Sequence, residues 1–162
     1  MFGNPQIVQI VQFLSEIGIP VRAGELPPET FLPGIFIENG GLVIDEARLT
    51  YPGDLLHEAG HLAVMGPQER GGANATMSDN GGFEMAAVAW SYAAALHIGL
   101  DPVVVFHEGG YRGGSQAILE NFGAGRYFGV PVLEWMEMTV GAKPGMEPPV
   151  AAYPKMLRWL RT

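Results

Sequence analysis

The chain has 162 residues, is 48% hydrophobic, carries a formal charge of −8 at neutral pH and contains no cysteine. That length fills one domain and leaves little for a second. The acidity excludes the basic stripe that a nucleic-acid backbone needs, and the lack of thiols excludes disulfides and thiolate metal sites.

A cysteine-free composition fits a reducing compartment, so a cytoplasmic protein is expected. The opening stretch MFGNPQIVQIVQFLSEIGIP has no basic n-region and no small-residue cleavage site, so it reads as a helix and not as a signal peptide. No uninterrupted apolar run approaches the ~20 residues of a membrane span, and no membrane partner is expected. The 23 Gly and 13 Pro demand many turns between short elements.

Over residues 4–17, Ile7, Ile10, Val11 and Leu14 recur at helical spacing. Gly18 ends the pattern and Pro20 prevents its return. Pro27, Pro28 and Pro33 mark an irregular stretch. Residues 34–45, GIFIENGGLVID, read as a β-hairpin. Two β-branched and aromatic runs flank Asn39-Gly40, the dipeptide that best accepts the positive φ of a tight turn. A helix capped at or near Thr50, with Pro52 in its first turn, follows and stops near Gly66-Pro67. Residues 67–82 read as an exposed loop. FEMAAVAWSYAAALHIGL is the second strong helix, with alanines favouring it and Gly99 stopping it. Asp101-Pro102 starts a short helix through three valines that could equally form a strand. Residues 115–122 and 130–138 predict further short helices. The amphipathic tail, 153–162, predicts another.

The first strong helix carries HEAGH: His57, Glu58 and His61. Residues i and i+4 share a helix face, so both imidazoles can reach one metal ion. Glu58 points about 100° further round. Its carboxylate therefore stands beside the ion, where it can take a proton from water acidified by the metal. The alternative is a helix whose histidines are satisfied structurally.

A zinc hydrolase needs a third protein ligand and an open position. The extended pattern HExxHxxGxxH is excluded, because Val64 and Pro67 occupy its last two defined places. A carboxylate from the following helix is the other common solution, and Glu84 is the best candidate. It opens that helix, where the dipole favours the ionised form a ligand needs. On its face lie Ala87, Val88, Ser91 and Ala95, mostly small enough for two helices to approach closely. The alternative is that Glu84 only satisfies the helix N-terminus. His97 and His107 are rival ligands, although His97 lies too far along the helix from Glu84 for both to ligate easily. In VVVFHEGGYRGGS, a glycine-rich turn after an apolar run, His107, Tyr111 or Arg112 could donate to an oxyanion. Asp54 and Asp79 could hold a ligand imidazole in place.

These residues resemble the zincin metallopeptidases of the glutamate-ligand (gluzincin) type, most closely the ImmA/IrrE-type metallopeptidase-like family. The parts that carry the resemblance are GGLVIDEARLTYPGDLLHEAGHLAV and FEMAAVAWSYAAA, within residues 34–98. The resemblance implies an α+β, zincin-like fold, with a small antiparallel or mixed sheet packed on the HExxH helix and a second ligand helix. It implies a zinc-dependent peptidase with His57, His61 and Glu84 as ligands and Glu58 as catalytic base. It also implies a regulatory protein partner, since members often act on repressors beside a helix-turn-helix protein, although this chain shows no helix-turn-helix of its own. The thermolysin-like group places an Asp four residues after the ligand Glu, to orient the first His. Here that position is Val88.

Three classes of function follow. The first is a zinc-dependent metallopeptidase whose peptide or protein substrate pairs, extended, with residues 41–45 or 34–38 of the hairpin. The second is an inactive zinc-binding module that binds a partner protein, a reading that leaves Glu58 without a task. The third is a metal-free interaction domain. Iron, manganese, cobalt or nickel can occupy a site of two histidines and one carboxylate as well as zinc. Substrate specificity and oligomeric state are open.

Overall fold

The structure is a computed structural model and describes residues 1–74, 81–145 and 151–162. It is mixed α+β. Helix α1 (Pro5–Ile17) forms where the periodicity predicts it. The Asn4 side-chain oxygen accepts from the amides of Gln6 and Ile7 at 2.8 and 3.4 Å, capping the N-terminus. Gly18 closes the other end at φ 94°. Ile7, Ile10, Phe13 and Leu14 form its buried stripe.

Three short strands follow: β1 (Val21–Ala23), β2 (Ile35–Glu38) and β3 (Gly41–Ile44). The hairpin β2–β3 turns on Asn39 and Gly40, at φ 49° and 78°, as the Asn-Gly signal requires. The sequence carries no sign of β1, because three residues are too few for alternation to register. It pairs parallel with β3, so the sheet is mixed, in the order β1-β3-β2. All four residues of β3 are buried. Because β3 is internal, the expected pairing of a peptide with residues 41–45 falls away. Of the two hairpin strands, β2 is the one at an edge of the sheet.

The helices α2 (Asp54–Val64), α3 (Pro67–Gly71), α4 (Gly81–His97), α5 (Ser115–Gly123) and α6 (Val130–Trp135) complete the described residues, with 3-10 turns at Pro102–Val104 and Tyr111–Gly113. Several boundaries differ from expectation. Thr50 is exposed and does not cap α2. Gly53 stands at that N-cap without a side-chain bond, because a Cβ there would lie 1.9 Å from the Val104 carbonyl oxygen. Part of the expected loop 67–82 is α3, started by Pro67 at N1. The helix expected over 130–138 stops at Trp135, and Glu137 takes φ 60°.

The tail is not helical. Its backbone pairs with other segments instead. The Trp159 carbonyl accepts from Trp90 Nε1 at 2.9 Å, and the Arg161 amide donates to the Ala63 carbonyl at 2.9 Å. Tyr153 donates from its buried hydroxyl to the Ala89 carbonyl at 2.6 Å. The apolar side chains that suggested an amphipathic helix are those of a strap laid across α2 and α4. Arg70 completes the C-terminal end of α2, donating to the carbonyls of Leu62, Ala63 and Met65, at the end where intrahelical partners run out.

Helix α4 is apolar on nearly every side and packs against α2 and α6, the pattern of a buried helix. Trp90 is fully buried in it. Where α2 crosses α4, a Cβ on Gly60 would lie 2.8 Å from the Ala87 carbonyl oxygen and 3.3 Å from the Trp90 ring. Only a glycine lets the two backbones approach this closely. In an exposed helix Gly60→Ala would stabilise by up to ~1 kcal/mol. Here it should destabilise by about 1–3 kcal/mol, through overpacking, read as a lower denaturant midpoint with an unchanged slope.

Candidate metal centre

The centre is built on the face that α2 turns toward α4. His57 and His61, one turn apart, set their rings 4.9 Å apart and nearly perpendicular. Glu84, in the first turn of α4, comes within 2.8 Å of His61, Oε2 to Nε2. One ligand atom from each of His57, His61 and Glu84 lies within 4.8 Å of the others, close enough for one ion to reach all three. Among the described residues this is the one such group of three. Two imidazole nitrogens and a carboxylate form a donor set that suits a divalent ion of borderline softness.

Glu58 is 5% exposed, with Oε1 4.0 Å from His57 Nε2. It stands beside the three converging groups and is not one of them, as the helical offset predicts. Burial pushes its carboxyl up to about 7 from an ordinary 4.5, and the neighbouring Asp54 and Glu84 add to the rise. Glu84 moves the other way, because its hydrogen bond with His61 holds it below its usual value. Burial, followed by the charge of His61, lowers His57 to about 4. Its imidazole is therefore neutral at neutral pH, the form that can ligate.

The glycine-rich segment after the 3-10 turn at Pro102–Val104 closes over this face. His107 Nε2 lies 2.6 Å from Asp54 Oδ1, and its ring stacks on Tyr51 at 3.7 Å between centroids. The Ser115 hydroxyl donates to the His107 carbonyl at 2.6 Å. His107 is thus fastened to the start of α2 and is not among the converging ligands. Asp54 holds His107, and neither ligand imidazole. Burial raises its carboxyl and the bond to His107 partly offsets that rise.

Tyr111 is placed where the sequence did not point. Its hydroxyl lies 2.7 Å from His57 Nδ1, engaged with that imidazole instead of standing free for an oxyanion. Burial pushes that hydroxyl well above the ordinary phenol range. Tyr111 and Arg112 both adopt positive φ, 55° and 52°, a conformation that costs non-glycine residues energy and recurs at functional sites. Arg112 is exposed at the rim, and its charge reaches Glu84.

His97 sits at the far end of α4 beside Phe13 and Trp159, outside the group. Asp79 lies outside the described residues. Ser91 is fully buried on α4, and its hydroxyl donates to the Val88 carbonyl at 2.9 Å. In the sequence it registers only as a small residue on the face of Glu84. Comparison with protein-family models, curated proteins and solved structures finds no match for this chain.

The raised Glu58 carboxyl makes a stability prediction for the metal-free protein. The folded state holds this proton to about 7 and the unfolded chain only to about 4.5. The stabilisation is therefore complete below pH 4.5 and is lost as pH rises through 7. Urea midpoints in the presence of a chelator should fall over that window, with Glu58 contributing roughly 3 kcal/mol. Glu58→Gln, which has no proton to lose, should remove this part of the slope and leave the variant the more stable protein at pH 8.

Proposed function

We propose that this chain is a metal-dependent peptidase of the zincin type, with His57, His61 and Glu84 holding zinc and Glu58 acting as general base. One observation carries the reading: three metal-ligating side chains from two helices converge within 4.8 Å, with a buried carboxyl of raised pKa beside them. When bound, the ion would polarise the scissile carbonyl and acidify a water molecule.

The remaining work falls to the chain's own groups. His57 and His61 present two nitrogens from one rigid helix face. Glu84 brings the negative charge that a divalent ion needs. Glu58, poised near neutrality, takes the proton from the attacking water and returns it to the departing amine. Arg112 faces the rim with a positive charge suited to the oxyanion that develops on the substrate. An extended peptide can add to the sheet at β2, whose outer position supports this docking. Zinc is the proposed ion; the same donors also suit iron, manganese, cobalt and nickel.

Elemental analysis of protein prepared without chelator should find about one zinc per chain, and much less in Glu84→Ala. No metal in the wild type, even after zinc is added back, would overturn the reading. Glu58→Gln should keep the metal and lose turnover of a peptide library by about 100-fold or more. Zinc without any wild-type turnover would shift the assignment to an inactive zinc-binding module. Since the carboxylate is the working form of Glu58, kcat/KM should rise with pH through a limb at or below 7. A nearby cation can only lower the value set by burial.

A further inference from the structure

We infer that Asp54 and His107 form a clasp that holds the glycine-rich segment 107–115 closed over α2 and so keeps the Tyr111 hydroxyl on His57. His107 is in this sense a positioning residue that acts through Tyr111. The use of the clasp rests on the metal-centre reading, but its geometry does not.

The segment is seated on the residues that lead into α2. The His107 ring stacks on Tyr51 with 9° between the planes, and its Nε2 lies 2.6 Å from Asp54 Oδ1. The other ring nitrogen, Nδ1, is buried with no hydrogen-bond partner among the described residues. Asp54 is therefore the one polar tie they give this ring. A Cβ on Gly109 would lie 2.9 Å from the Tyr51 ring, and one on Gly110 would lie 3.3 Å from the His107 ring. Two glycines thus let the backbone come down onto the stack.

Hydrogen bonds run from this seat to the tip of the segment. The His107 carbonyl accepts from the Gly110 amide at 3.1 Å and from the Ser115 hydroxyl at 2.6 Å. The Gly113 amide donates to the Gly110 carbonyl at 3.2 Å, and the Gly114 amide to the Tyr111 carbonyl at 2.9 Å. Residues 107–115 are therefore knit into one unit, fixed at His107. At its tip Tyr111 takes φ 55°, a conformation that a non-glycine residue leaves when nothing holds it. Its hydroxyl still reaches within 2.7 Å of His57 Nδ1. Asp54 and His57 belong to the same helix, three residues apart, so the clasp and its target ride on one rigid element. Opening the clasp lets the turn relax and the phenol leave the imidazole.

The test uses metal-free protein with ring-¹⁵N histidine, the His57 signals being identified by their loss in His57→Gln. Tyr111→Phe keeps its ring packed near Phe106 at 5.1 Å and removes the hydroxyl, so its His57 shifts define the signature of a missing phenol. Asp54→Ala should give the same signature. It should also speed amide exchange at Gly110, Gly113 and Gly114 by about 10-fold or more, while amides in α2 and α4 keep their protection. Combined with Tyr111→Phe, it should move the His57 signals no further. Asp54→Asn loses the charge but keeps a side chain that can bond Nε2, and should stay near wild type. Wild-type His57 signals in Asp54→Ala would overturn the clasp. So would an Asp54→Asn protein that matches Asp54→Ala, because loss of charge alone would then account for the effect. Should Asp54→Ala fail to fold, His107→Phe, which keeps a ring for Tyr51 but no nitrogen for Asp54, is held to the same outcomes. Zinc affinity, measured by competition with a chromogenic chelator, then tests the use of the clasp. It should fall roughly 10–100-fold in Tyr111→Phe, by a similar factor in Asp54→Ala, and no further in the double variant. A wild type that binds no zinc, in a series that shows the His57 and exchange responses, upholds the clasp and overturns the metal reading. Zinc binding with neither response does the reverse.

Discussion

The backbone approach at Gly60 is the constraint on which the centre depends. His61 comes from α2 and Glu84 from α4, far apart along the chain. They meet because the carbonyl of Ala87 lies against the backbone of Gly60, one residue before His61. Any side chain there would push the helices apart. The glycine in HEAGH is thus as necessary to the geometry as the two histidines, although it carries no chemistry. Alanines 86, 87 and 89 on α4 are fully buried and keep the facing surface flat enough for the approach. The C-terminal end of α2 is completed by Arg70 and the C-terminal strap, which donate to its last carbonyls.

Two carboxylates a few ångströms from the same histidines are pushed in opposite directions. Glu84 is half exposed and bonded to His61, which favours its charge. Glu58 is enclosed and has no such partner within hydrogen-bonding distance, which disfavours charge. The proposed ligand sits where its carboxylate stays ionised and the proposed base where its charge can change, so the environment distinguishes two residues of one type. The protein around them supplies the distinction.

Local signals made part of this legible. The hairpin turn, the stripe of α1 and the HExxH spacing each repeat a local rule, and each appears in the structure at the residues that carry it. Glu84 was legible one step removed, through small residues on its face and its place at a helix start. What could not be read were partnerships over long sequence distances. Tyr111 reaching His57 and Asp54 reaching His107 both depend on how a glycine-rich segment closes over α2, and no periodicity encodes that. The tail misled for a related reason. Spacing that places Tyr153, Met156 and Leu160 on one helix face also serves a strap whose apolar groups fall alternately onto helices beneath it. The pattern records that these residues are covered, and what covers them is decided elsewhere.

That strap has a consequence for synthesis. The Arg161 amide closes on the carbonyl of Ala63, and Trp159 receives the indole proton of Trp90. The carbonyl at Ala63 lies two residues beyond His61. A ribosome delivers residues in order, so α2 and α4 leave the exit tunnel long before the strap that ties them together. During that interval a growing chain holds its histidines but not the covering that completes their helix. Contacts this distant in sequence form late in folding. The arrangement therefore couples completion of the centre to delivery of the strap.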